Sequence, residues 1–229
     1  MCTFGEIVEP NSRTIWEDWD ENNPENNATL IQWQLSVNIP ERIGTLFILE
    51  GKFLADCVKV QPKDHLKLIN TSTASNLHLY QIISRNEYVC TIKDYNLLQS
   101  SEIIDLIKPF IRNCDDVLTI QTKSLTEYQT ASLETKPWVI RKLTTSTQSK
   151  NLKDLNFSKL EQPNILSGVA AGAISLREHM NMSATALVYY IEHIEEYQTD
   201  EIHILLKKFN IVKDCSAKFN GILNSNLYI

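Results

Sequence analysis

Residues 44–50 read GTLFILE and contain a continuous apolar run, Leu46–Leu49. A strand with one solvated face alternates apolar and polar residues, whereas an unbroken apolar run predicts a strand that is covered on both faces. The stretch SATALVYYIE at 183–192 has the same character and is a second candidate for a buried strand. Strands of this kind need helices packed on both sides of their sheet.

Further strand-like runs surround these two stretches. LIQWQLSV at 30–37 alternates strictly, which predicts a strand with one apolar face formed by Ile31, Trp33, Leu35 and Val37. Three more runs predict strands, and FLADCVKV at 53–60 is ambiguous between a strand and a short helix. The three runs are NLHLYQII (76–83), EYVCTI (87–92) and DVLTIQTKS (116–124).

Apolar residues at helical spacing predict four helices. The first, at 100–114, has a serine cap at Ser100 or Ser101 and an isoleucine stripe, and Pro109 within it predicts a kink or an early stop. The second begins at Asn164 and continues through ILSGVAAGAISLREHM. The last two are predicted at 199–210 and 212–223.

Strands first and then strands alternating with helices predict the α/β fold class, with a sheet sandwiched by helices in a single domain over residues 1–229. The acidic, proline-containing stretch at 16–27 and the polar stretch at 144–151 predict flexible loops. The formal net charge of -6 argues against nucleic acid as a partner, because such binding needs a basic surface.

The sequence also predicts a cytoplasmic protein. No apolar run approaches the ~20 residues of a membrane span, so no membrane partner is expected. The amino end lacks the pattern of a secretory signal. The 5 cysteines have irregular spacing and no CxxC pair, which is typical of buried thiols in a reducing compartment.

No familiar catalytic pattern is present in the chain. The 6 glycines form neither GxGxxG nor GxxxxGK[ST], and the 5 histidines form no HExxH motif. No serine stands in GxSxG. His193 lies beside three glutamates, an arrangement more typical of a solvated turn than of an acid–base pair. We therefore expect no enzyme activity, no catalytic residue, no metal and no cofactor.

Small residues recur along the helix that is predicted from Asn164. Gly168, Ala171, Gly172 and Ser175 leave one face bare, so that another backbone can approach closely. This pattern is consistent with packing of the helix on the sheet, and also with a subunit interface.

The chain ends in NSNLYI, residues 224–229. Leu227, Tyr228 and Ile229 either fold back onto the core or form an exposed tail that a partner binds. The polar residues that precede them favour an exposed tail. A leucine and a tyrosine ring could each contribute roughly 2 kcal/mol on burial, and ordering the tail would offset a similar share.

A hydrophobic residue, a tyrosine and any final residue form a motif by which proteasome activators and assembly chaperones bind pockets between α subunits. The carboxyl half also resembles the proteasome assembly chaperone 1 family. The resemblance rests on the stretches NCDDVLTIQTKSLTEYQTAS, LEQPNILSGVAAGAIS and LNSNLYI, with TFGE at Thr3 to Glu6 as a weaker match. It covers about half of the chain.

The resemblance implies a fold related to nucleoside phosphorylases but without an active site. It implies a heterodimer with proteasome assembly chaperone 2 that binds and orients α subunits of the core particle, with Leu227, Tyr228 and Ile229 inserted in the α-ring pocket. The terminal isoleucine is bulkier than the usual final residue of this motif. Two other functions stay open: a small-molecule enzyme on a phosphorylase-like fold, and an adaptor whose hydrophobic C-terminus binds a PDZ domain.

Overall fold

The computed structural model describes residues 31–72, 76–130, 137–147, 149, 155–192 and 199–213. These residues form a seven-stranded mixed sheet with helices on both faces, which confirms the predicted α/β fold class. The strands are β1 (Ile43–Glu50), β2 (Leu66–Ser72), β3 (Leu77–Ile82), β4 (Glu87–Ile92), β5 (Cys114–Ser124), β6 (Trp138–Thr144) and β7 (Ala184–Ile191). The helices are α1 (Lys52–Lys59), α2 (Ser100–Asn113), α3 (Gly168–His179) and α4 (Thr199–Lys208).

The strand order in the sheet is β2-β3-β4-β1-β5-β7-β6. The four central strands, β4, β1, β5 and β7, are mutually parallel. The hairpin strands β2 and β3 continue the sheet antiparallel at one side, and β6 pairs antiparallel with β7 at the other. The carboxyl ends of the central strands therefore meet at one edge of the sheet, where ligands bind in many α/β folds.

The run GTLFILE forms most of β1, at the centre of the sheet. Leu46 and Ile48 pack beneath helices α2 and α3, whereas Phe47 and Leu49 pack against α1 and α4 on the opposite face. All four side chains are buried. The continuous apolar pattern arises because both faces of this strand are covered, as predicted.

The ambiguous run at 53–60 belongs to helix α1. Leu54, Ala55, Cys57 and Val58 of this helix are buried, and Phe53 is partly buried. Their spacing places one apolar stripe against the sheet. The cysteines that the structure describes, Cys57, Cys90 and Cys114, are free and buried. Burial raises the pKa of each thiol to about 12, as expected of cysteines used as packing residues.

The predicted strand at 30–37 is wrong for its described residues, which form no regular element. Asn70 accounts for this difference, because its side-chain amide donates to the Leu35 carbonyl at 2.6 Å and its oxygen accepts from the Leu35 N–H at 3.2 Å. The backbone of this segment also donates from the Gln34 N–H to the Thr71 carbonyl at 3.0 Å, but a single bond of this kind does not make a strand ladder. Ile31, Trp33 and Val37 still pack on the core, but Leu35 is exposed.

Two helix boundaries also differ from the predictions. Pro109 does not stop α2, which continues to Asn113, because Ile107 before it and Phe110 after it are both buried. The third helix begins at Gly168 and not at Asn164. The Asn164 side chain instead bonds with the Gln129 backbone and holds the preceding residues in a loop.

The other described predictions agree with the structure. Strands at 76–83, 87–92, 116–124 and 183–192 correspond to β3, β4, β5 and β7, and the helix at 199–210 corresponds to α4. The sequence pattern missed the outer strands β2 and β6. Most of the predicted helix at 212–223 lies outside the described residues, as do residues 148, 150 and 151 of the predicted loop at 144–151 and the whole loop at 16–27.

Candidate functional site

The C-terminal site residues Leu227, Tyr228 and Ile229 lie outside the described residues. Their assignment to the α-ring pocket, and the exposed tail at 224–229, therefore stay predictions. The same holds for the acidic residues at 16–27.

The four small residues on α3 are described, and two of them make close contacts within the chain. Gly172 lies against Ile104 of α2, whose Cγ1 would be 2.7 Å from an added β-carbon. Gly168 has a φ angle of 69° and lies against Tyr95 and Glu50. Ala171 is half-buried and Ser175 is exposed. The bare face thus serves helix packing at Gly172, and a subunit interface along α3 remains a prediction.

Glu50 and its partners form a buried polar network at the carboxyl edge of the sheet. Glu50 is the last residue of β1, and its carboxylate accepts from the Tyr95 hydroxyl at 2.5 Å, the Gln121 amide at 2.9 Å and the Ala170 N–H at 3.0 Å. The Tyr95 oxygen in turn accepts from the Val169 N–H at 3.0 Å. The first backbone donors of α3 are therefore satisfied by side chains from distant elements.

The charge of Glu50 is opposed by its surroundings and supported by its partners. Burial raises the pKa of this carboxyl, while the hydrogen bonds from Tyr95, Ala170 and Gln121 act in the opposite direction. Burial also raises the pKa of Tyr95, so its hydroxyl keeps its proton and donates to the carboxylate. A negative group at the start of a helix is favoured by the helix dipole.

This arrangement is built to hold the helix. The positions where a bound anion would meet the first turn of α3 are taken by the chain's own carboxylate and phenol. Within the described part of the chain, no group of three or more His, Cys, Asp or Glu side chains is placed to bind a metal ion. His78 and His203 are half-buried.

Arg177 anchors the opposite end of α3. Its side chain is fully buried, and its partners among the described residues are backbone oxygens and nearby sulfur atoms, to which the guanidinium donates. The backbone oxygens lie at the ends of three elements. They belong to Ile111 near the end of α2, to Cys114 and Asp115 at the start of β5, and to Ser183 just before β7. The carbonyls at the end of α2 carry the negative end of that helix dipole, which favours the cation.

Two of the sequence stretches on which the resemblance rests contact each other. Tyr128 donates its hydroxyl hydrogen to Glu161, and Arg141 of β6 donates to Glu161 at 2.8 Å. The Arg141 guanidinium also lies over the Tyr128 ring, 5.0 Å from its centroid. The Asn164 amide donates to the Gln129 carbonyl at 2.7 Å. LTEYQT and LEQPNI are thus one structural unit beside β6, a property that their separation in sequence concealed.

Large apolar side chains are exposed near the same carboxyl edge. Leu97 is 61% exposed and Leu98 is 86% exposed in the turn between β4 and α2, while Ile165 is 73% exposed before α3. The exposure of these residues was not predicted from the sequence, because a pair of leucines between a strand and a helix resembles the start of a buried stripe. Only the fold shows that they point away from the core.

Solved structures with the same fold include two proteins of unknown function. One is from Thermoplasma acidophilum, with a TM-score of 0.56 and 8% identity over 80% of this chain and 88% of that chain. The other is from Corynebacterium glutamicum, with a TM-score of 0.50 and 13% identity over 79% of this chain and 81% of that chain.

A third structure with this fold is Pyrococcus furiosus PbaA, described as an archaeal homolog of proteasome-assembly chaperone. Its TM-score is 0.55 and its identity is 12%, over 78% of this chain and 82% of that chain. No family model matches the chain, and no curated protein matches it by sequence. The chain therefore shares its fold with an archaeal chaperone homolog.

Among the described residues, no helix has the length and apolar character to span a membrane.

Proposed function

We propose that this chain is a non-catalytic chaperone of the proteasome assembly chaperone 1 family, which assists assembly of the proteasome core particle. The observation that carries the proposal is the fold shared with Pyrococcus furiosus PbaA, an archaeal homolog of proteasome-assembly chaperone. The sequence resemblance points to the same class, and its two central stretches form one contact unit in the folded chain.

In this proposal the chain forms a heterodimer with proteasome assembly chaperone 2, and the pair binds and orients α subunits while the α ring forms. The network around Glu50 supports a scaffold, because it uses the polar groups of the carboxyl edge to fix α3. A rigid body can hold several subunits in register without undergoing a chemical step.

The C-terminal residues Leu227, Tyr228 and Ile229 would insert in a pocket between two α subunits. A tail of this length binds weakly by itself, since ordering it costs much of what its burial contributes. When the partner chain supplies a second contact, the effective concentration of the tail rises and binding becomes useful. Release follows when either contact is lost.

The proposal is tested by affinity purification of the full-length chain from extract of its own species, followed by mass spectrometry. We expect recovery of a proteasome assembly chaperone 2 chain together with proteasome α subunits. A version that lacks Leu227, Tyr228 and Ile229 should keep the chaperone partner and lose the α subunits. Recovery of neither by the full-length chain would contradict the proposed function.

The substitution Tyr228→Ala separates the proposal from the PDZ alternative. An α-ring pocket that grips the tyrosine should lose most of its affinity for the variant. A PDZ domain reads the final residue and the one two positions before it, so it should bind the variant nearly as well. Replacing Asn224 by alanine alters the polar lead and leaves all three apolar residues, and provides the matched control.

A further inference from the structure

The turn between β4 and α2 exposes two leucines to solvent, and side-chain hydrogen bonds hold the backbone of this turn in place. Leu97 and Leu98 lie in a short 3-10 turn, Leu97–Gln99. The Asn96 side chain accepts from the Leu98 N–H at 3.0 Å, and the Ser100 hydroxyl donates to the Leu97 carbonyl at 2.5 Å. Both ends of the turn are thus capped, and its backbone is fixed before any partner arrives.

The same turn is attached to the centre of the molecule. Tyr95, two residues before Leu97, bonds to Glu50 at the end of β1 and to the first turn of α3. The loop before α3, which exposes Ile165, is fixed in a similar way by Lys123, whose ammonium donates to the Ile165 carbonyl at 3.0 Å. Rigid presentation lowers the entropic cost of binding, so an exposed apolar group on such a support is suited to a lasting contact.

Charged residues beside the two leucines restrict what can cover them. Asp94 and Glu102 lie on either side of the leucines in the chain and are exposed, and neither forms an ion pair with the residues that the structure describes. Lys93, the nearest cation in sequence, is paired with Asp56 at 3.1 Å. The leucines therefore lie in an acidic setting.

An acidic setting disfavours a second copy of this chain as the occupant. In a two-fold symmetric dimer the same patch faces itself, so Asp94 and Glu102 of both copies would be brought together. Like charges that meet across an interface oppose association. A different chain, with an apolar face edged by lysine or arginine, would satisfy the leucines and the carboxylates at once.

We infer that Leu97 and Leu98, flanked by Asp94 and Glu102, form the surface through which this chain pairs with its partner chaperone chain, whose matching face is apolar with a basic edge. The inference rests on the proposed function and adds to it the location of the heterodimer contact. It places the contact on the turn before α2, and not on the small-residue face of α3.

The test uses the full-length chain and the proteasome assembly chaperone 2 chain of the same species, each purified, and measures their dissociation constant. The double variant Leu97→Asp, Leu98→Asp should raise that constant by about a hundredfold. Two leucines that become buried in the complex would be replaced by charges that must be removed from water on binding. The matched control is Leu68→Asp with Ile204→Asp, two exposed apolar residues on β2 and α4. It should leave the constant within about twofold of the wild-type value.

A second variant tests the charges and does not touch the leucines. Asp94→Lys with Glu102→Lys should slow association at low salt, and the difference from wild type should shrink as salt is raised. Thermal unfolding of the leucine variant and of its control should match that of the wild type, because the substituted side chains are exposed.

The outcomes separate this inference from the proposed function. If the wild-type chain neither pairs with the chaperone chain nor recovers α subunits, both are overturned. If the wild type pairs and the leucine variant pairs equally well, the inference alone is overturned. Weakened recovery of α subunits with unchanged pairing would also overturn it, as would a stable dimer of the isolated wild-type chain that the leucine variant abolishes.

Discussion

The two ends of helix α3 are held by buried charges of opposite sign, and they are held differently. At its start, the Glu50 carboxylate comes from β1 and accepts hydrogen bonds from two side chains and one backbone N–H. At its end, Arg177 belongs to the helix itself and donates to the backbone of Ile111, Cys114, Asp115 and Ser183.

This difference shows which contact the fold can replace. A neutral amide can take the place of a carboxylate that accepts a few hydrogen bonds, and the buried network can adjust. No other side chain carries five N–H donors in a planar fork, so no other residue at position 177 can donate to all four of the surrounding carbonyls. Replacing the buried charge should therefore cost more stability at the end of α3 than at its start.

The largest effect is expected for Arg177→Met, which fills a similar volume and removes every donor. The carbonyls of Ile111, Cys114, Asp115 and Ser183 would lose the guanidinium as a donor. We expect a loss of about 3–5 kcal/mol in the free energy of unfolding. Urea denaturation measures it. Arg42→Met is the control, because Arg42 pairs with Asp115 on the surface and should cost less than about 1 kcal/mol. Equal losses for the two variants would contradict the contrast.

Gly168→Ala should produce the next largest effect, at the start of the helix. The φ angle of 69° is unfavourable for alanine, and the new methyl group would collide with Tyr95 and Glu50. We expect a loss of about 2–4 kcal/mol in the same denaturation experiment. Gly44→Ala is the control. Its added β-carbon would lie 3.2 Å from the nearest atom, the Asn86 carbonyl oxygen, and Gly44 does not have a positive φ angle. A smaller loss of stability for Gly168→Ala than for Gly44→Ala would show that Tyr95 and Glu50 do not lie close against Gly168.

Tyr95→Phe tests a single hydroxyl in the Glu50 network. The variant removes one donor to the carboxylate and leaves the Val169 N–H without its acceptor, while the aromatic ring stays in place. We expect a loss of about 1 kcal/mol in the free energy of unfolding. Tyr80→Phe, on the neighbouring hairpin, provides the comparison for removal of a tyrosine hydroxyl alone. Identical losses for the two variants would show that the network adds nothing at Tyr95.

Of these variants, Glu50→Gln should have the smallest effect on stability near neutral pH. It should also alter how stability depends on pH. Burial raises the pKa of Glu50 in the folded protein, so the folded state binds a proton more tightly than the unfolded state. Between the ordinary pKa of a glutamate and this raised value, the wild type loses stability as the pH rises. The glutamine variant lacks this loss.

The free energy of unfolding of Glu50→Gln minus that of the wild type should therefore increase as the pH rises through that range, and should level off above it. Chemical denaturation at a series of pH values measures the difference. Other groups with shifted pKa values, such as Glu87 and His78, are present in both proteins and cancel in this difference. A difference that falls with rising pH would mean that the hydrogen bonds outweigh burial at Glu50.

Much of the fold could be predicted from the sequence, for a physical reason that its elements share. The apolar runs of β1 and β7 and the apolar stripe of α2 record burial directly, since each is covered along most of its length. The outer strands β2 and β6 could not be found in this way. They are half covered, so their patterns mix exposed and buried residues without a regular period.

The strand predicted at 30–37 failed for a related reason. Its alternating pattern correctly indicates that Ile31 and Trp33 pack on the core, but a strand also requires a continuous series of backbone hydrogen bonds with its neighbour. The Asn70 side chain occupies the place of those bonds at Leu35. No local pattern reveals a partner that lies 35 residues away.

The candidate sites divide in the same way. The sequence by itself determined the α/β class, the central strands and the C-terminal motif at Leu227, Tyr228 and Ile229, because these depend on the order of neighbouring residues. The tertiary structure alone decided that Glu50 meets Ala170 across 120 residues, that Arg177 reaches the ends of three elements, and that Leu97 and Leu98 face water. Hydrogen-bond partners and exposure are set by which elements pack together, and packing joins residues that the sequence keeps far apart.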